Sequence, residues 1–110
     1  MNQDLDLKAQ VKQILKIVQE LAPGRSVELR IPPFAAIQCV GGSTHRRGTP
    51  PNVVEMSPET LLKLLENPVK WQQYCDLGSI SASGTNSNLG NLFAEVSKLL
   101  KSEVRSEHGK

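Results

Sequence analysis

The sequence predicts an α+β fold: a small sheet of about four to five strands covered by helices, in the order α-β-β-β-α-α-β-α. Three observations predict it. Apolar residues recur with helical period near both ends of the chain, over 7–21 and 89–100. Val27, Leu29 and Ile31 alternate with Glu28 and Arg30, the two-residue period of a half-buried strand. Pro32-Pro33 and Pro50-Pro51 each precede a short apolar run that reads as a further strand.

The elements follow in order. Leu7, Val11, Ile14, Leu15, Val18 and Leu21 fall within about 120° of one helical face. Asp4 and Asp6 stand where an N-cap and a first-turn acid belong, and Pro23-Gly24 stops the helix. After the strand at Val27–Ile31, Phe34–Val40 reads as a second strand, more apolar and therefore more buried. Two prolines cannot supply the positive φ of a primed hairpin turn, so the connection between these strands is wider than two residues or the chain runs on extended. Val53–Met56 is the third strand. Ser57 then caps a Leu-rich helix with Pro58 in its first turn, and Asn67-Pro68 ends it. A short helix over about 69–76 carries Trp71 and Tyr74, amphipathic residues suited to gating a pocket. Leu77–Gly84 alternates small polar and apolar residues as a fourth strand. Leu89, Leu92, Phe93, Val96, Leu99 and Leu100 share one face of the last helix, in whose interior Gly90 costs about 1 kcal/mol relative to Ala.

With 110 residues the chain suits one domain with a core about two layers thick. Residues 1–100 carry the predicted elements and 101–110 form a charged tail. A net charge of +2, with acids and bases mixed along the chain, is too weak a field to imply a nucleic-acid partner. Lys8, Lys12 and Lys16 form a stripe that reads as a solvated face, so membrane contact is at most peripheral. The polar N-terminus and the lack of any apolar run near the roughly 18 residues that span a bilayer predict a cytoplasmic protein, with Cys39 and Cys75 as reduced thiols.

No constellation for chemistry emerges, so an enzyme is not expected. Cys39 could meet His45, but it lies in an apolar strand where cysteine is a small core residue. The Cys and His residues lack metal-ligand spacing, no carboxylate pair is placed for acid–base work, and no cofactor is implied. The loop GGSTHRRGT resembles a phosphate cradle. Yet Gly42 and Gly48 stand one residue too far apart for a P-loop, lysine is missing, and prolines follow where a helix should open. A looser anion site at His45, Arg46 and Arg47 remains the alternative to a solvated loop. Leu61, Leu62, Leu64 and Leu65 make one helix apolar over most of its circumference, so it is deeply buried or lines an apolar pocket.

The run VVEMSPETLLKLLENPVKWQQYCDLGSISASGTNSNLGNLF, residues 53–93, resembles the second half of the sterol carrier protein type 2 fold. Upstream, APGRSVELRIPPFAAIQCV and HRRGTPPNVVEM are similar to a small subgroup of bacterial, actinobacterial sterol carrier family proteins. The resemblance implies a sheet and helices enclosing an apolar cavity, and a non-enzymatic carrier-like domain for a fatty acyl, sterol-like or other apolar ligand. The cavity lining it implies is Phe34, Ile37, Leu61, Leu65, Trp71, Ile80, Leu92, Phe93 and Val96. The alternative is an accessory or protein-interaction domain of the same fold without an open cavity, whose partner is another protein or a second copy.

Overall fold

The computed structural model describes residues 3–42 and 50–108, with side chains over 5–42 and 50–102. Helix α1 (Gln3–Leu21) leads into strands β1 (Val27–Ile31), β2 (Ala35–Cys39) and β3 (Asn52–Met56). Helix α2 (Pro58–Glu66), a 3-10 turn (Pro68–Lys70) and helix α3 (Trp71–Asp76) follow, then β4 (Ile80–Ser83) and α4 (Gly90–His108). The order is the predicted one, and the fold is α+β. The helical backbone of α4 runs past Leu100, where the apolar stripe stops, to His108.

The four strands form one mixed sheet in the order β2-β1-β3-β4. β1 pairs antiparallel with β2 and parallel with β3, and β3 pairs antiparallel with β4. The registers put Ile37, Leu29 and Val54 in one row and Cys39, Val27 and Asn52 in the next, on the face that the helices cover. The opposite face carries Glu28, Arg30 and Glu55. Arg30 binds Glu28 at 2.7 Å and lies 3.8 Å from Glu55, an ion-pair cluster that stays in water. The sheet is therefore apolar on one side only, as the alternation in β1 requires.

The β1–β2 connection spans Pro32, Pro33 and Phe34, wider than two residues as the prolines demand. The Pro32-Pro33 bond is cis, and Phe34 N–H donates to Ile31 O at 2.9 Å. β2 itself corrects an expectation. Its apolar run suggests the more buried strand, but β2 is a sheet edge, and of its residues only Cys39 is buried. Hydrophobicity reports side-chain type, whereas burial here follows rank in the sheet, and the central β1 has the deeper positions.

Caps explain where the helices begin and end. Ser57 Oγ accepts Thr60 N–H at 3.0 Å and opens α2, with Pro58 following it. α3 closes in a Schellman motif: Ser79 N–H reaches Tyr74 O, Gly78 N–H reaches Cys75 O, and Gly78 takes φ +81°. Gly90 is the first residue of α4, not an interior one, so its propensity cost does not fall mid-helix. Asn88 Oδ1 accepts the Gly90 N–H at 2.9 Å. α4 packs on α1, α2 and the 3-10 turn, α1 lies on β2, and α3 lies on β4. Ser97 Oγ, buried on α4, donates to Leu65 O at 2.7 Å and satisfies a carbonyl of the last turn of α2.

Candidate functional site

The packed apolar interior between the sheet and its helices is the candidate ligand site. Of the nine residues expected to line it, Leu61, Leu65, Trp71, Ile80, Phe93 and Val96 are buried in one core, and Phe34, Ile37 and Leu92 are partly buried against that core. They arrive from α2, α3, β4 and α4, with Ile37 from the edge strand β2 and Phe34 from the turn before it. Pro58, Leu61, Leu64 and Leu65 share one buried face of α2, while Leu62 is half-buried and Glu59, Lys63 and Glu66 are exposed, so the helix is amphipathic rather than covered over most of its circumference as its leucines suggest. Trp71 and Phe93 stack with ring centroids 6.3 Å apart and planes 23° apart. That spacing is within the range of attractive aromatic pairs.

Trp71 also touches the outside. It lines an open groove of about 480 Å³ between the 3-10 turn and the start of α4. Pro68 and Val69 form one wall, and Gly90 and Ala94 the other. Three amides, Gln72, Asn88 and Asn91, complete the lining, which holds no charged side chain. Gln72 Nε2 is bound to Asp76 at 2.9 Å, and Asn88 Oδ1 to the Gly90 N–H. Val69 stands 86% exposed at this edge. A second open groove, about 370 Å³, lies at the β1–β2 turn beside Phe34 and Arg30. Its guanidinium is engaged by Glu28 and, more loosely, by Glu55, and the Glu28 hydrogen bond and charge hold the Arg30 pKa above its ordinary value.

The described residues hold little reactive chemistry. Burial pushes the Cys39 thiol up to about 11, and burial together with the charge of Asp76 raises that of Cys75, so neither is primed as a thiolate. Both cysteines are free. Among the described residues there is no group of three or more His, Cys, Asp or Glu placed to hold a metal ion. Nor, among them, is any helix long and apolar enough to cross a membrane. His45, Arg46 and Arg47, the candidate anion site, lie outside the described residues.

One residue escaped the sequence reading. Asn52 is buried at the N-terminal end of β3, where its Nδ2 donates to Ser26 O at 2.9 Å and its Oδ1 accepts the Asn86 N–H at 3.0 Å. It joins the residue before β1, β3 itself and the β4–α4 connection. A signal existed: Asn52 shares the two-residue period of Val54 and Met56, which places a polar group in a core-facing register. A Cβ at Gly84 would overlap Asn52 Oδ1, so this close approach requires glycine there, at φ +102°.

The family described as bacterial SCP ortholog matches residues 4–94. The chain belongs to that family. Among solved structures, this SCP-family chain is similar in fold to one described as "UbiJ-SCP2 Ubiquinone synthesis protein", with TM-score 0.50 and 13% identity over 92% of this chain and 96% of that one. No curated protein matches it.

Proposed function

We propose that this SCP-family chain is a non-enzymatic, carrier-like domain that holds a fatty acyl, sterol-like or other apolar ligand between sheet and helices. Membership of the family over residues 4–94 is the observation that carries this reading. The one-sided sheet supports it, because the interior it faces is built almost wholly from aliphatic and aromatic side chains. The described cysteines, with raised pKa values, favour binding over covalent chemistry.

The test is titration of delipidated protein with a fluorescent fatty acid and a fluorescent sterol. A saturable signal that unlabelled lipid displaces is expected. No saturable binding of either probe rejects the reading.

A second reading has its own observation. Val69 is 86% exposed and Leu77 69% exposed, large apolar side chains left in water on either side of α3. They favour an accessory domain that docks a protein or a second copy through this region. Light scattering separates the two readings: Leu77→Ser, outside the groove, should dissolve any self-association while leaving lipid binding intact.

A further inference from the structure

We propose that the segment Pro68–Asp76 is the lid of the ligand site, with the groove beside it as the mouth and Trp71 as the plug. This rests on the carrier reading and adds the route by which the ligand passes.

The segment buries few side chains. Its 3-10 turn buries no residue, and α3 buries only Trp71. Tyr74 and Cys75 are partly buried against the core, so one wholly inserted side chain anchors a stretch of two short helices. Elements with few buried contacts open at low free energy, and lids are drawn from them. Both ends suit a hinge. Asn67 sits at φ −150°, ψ 77°, outside the helical region, between α2 and the turn. Gly78, at φ +81° with open space where a Cβ would sit, ends α3.

Trp71 is the contact between outside and inside. It lines the groove, is 5% exposed, and stacks on Phe93, which is fully buried. Swinging it outward joins the groove to the core at Phe93. The opposing helix presents Gly90, where a Cβ would come to 3.3 Å from the Trp71 Cβ, so only glycine backbone faces the base of the plug. A groove without charged groups lets an alkyl chain pass without breaking an ion pair.

Trp71 is the single tryptophan, so its fluorescence reads the lid alone. Delipidated protein is saturated with oleic acid, and acrylamide quenching of Trp71 is compared with and without it. In parallel, stopped flow follows release of a bound fluorescent fatty acid from wild type, Trp71→Ala and Val11→Ala, the last being a fully buried residue of α1. The expected results are a changed quenching constant on saturation and release about tenfold faster for Trp71→Ala, from loss of the aromatic stack, with Val11→Ala near wild type. Saturable binding with Trp71 quenching unaltered overturns the lid while leaving the carrier reading standing. Equal acceleration in both variants also overturns it, because it marks general loosening. Should Trp71→Ala not fold, the quenching comparison on unaltered protein decides. Absence of saturable binding rejects the carrier reading and the lid with it.

Discussion

At the scale of single residues, Asn52 is the buried amide on which most depends. Replacing it by Ala strands the buried Ser26 carbonyl and frees the part-buried Asn86 N–H, which costs about 1–3 kcal/mol, mostly at Ser26. Urea denaturation of Asn52→Ala should show the lower midpoint at an unchanged slope. An unshifted midpoint would mean that water replaces the amide. Cys39 gives a pH dependence. Its folded thiol is raised by burial, from an ordinary 9.0 to about 11, so folding favours the neutral form. The stability this group contributes is fully present below about pH 9 and is lost as pH rises toward 11. The loss should be on the order of 2 kcal/mol, and Cys39→Ala should flatten that part of the stability–pH curve. At Val40 a β-branched residue takes φ +67°, held by a hydrogen bond from its N–H to Ala22 O at 2.7 Å and by the Ser26 N–H on its carbonyl at 2.9 Å. Nothing in the local sequence marks that position, because the strain is imposed by the α1–β1 link passing beside it.

At the scale of elements, α2 shows how far local chemistry reaches. Ser57, Pro58 and Glu59 specify its start and Asn67-Pro68 its end, and each lies where the pattern puts it. Ser57→Ala should cost about 1 kcal/mol by removing the acceptor for Thr60 N–H, read as a drop in melting temperature. Ser57→Gly should cost only a few tenths. β2 shows the limit. Its residues are apolar enough for a central strand, and only the parallel pairing of β1 with β3 leaves it at the edge. Parallel pairing is a long-range choice, and a strand's own residues do not encode its neighbours. The same limit applies to Asn52: the period announces an inward-facing polar group, but its partners Ser26 and Asn86 are 26 and 34 residues away.

At the scale of the whole molecule, the covered face of the sheet is where a ligand would act on stability. A lipid that binds only the folded chain should stabilise it by about 2.7 kcal/mol at a free concentration 100 times its Kd. The measurement is thermal unfolding of delipidated protein across a series of fatty acids and sterols, with the melting temperature rising in step with occupancy. A melting temperature indifferent to every lipid argues for the protein-docking reading, in which the exposed Val69 and Leu77 carry the interaction.

Read alone, the sequence determined the class of fold, the order of its elements, the caps of α2 and most of the apolar core, although Leu21 and Leu99 of the predicted stripes stay exposed. All of these rest on short-range periodicity, turn chemistry and the hydrophobic effect acting on residue type. The nine lining residues follow from the resemblance to the sterol carrier fold rather than from periodicity; six are buried in the core and three pack against it. Tertiary structure alone decided which strand is an edge, which face of Trp71 meets the groove and which meets Phe93, and that Gly90 stands against the indole. Those are relations between segments distant in the chain, set by how whole elements pack, and no local pattern of side chains carries them.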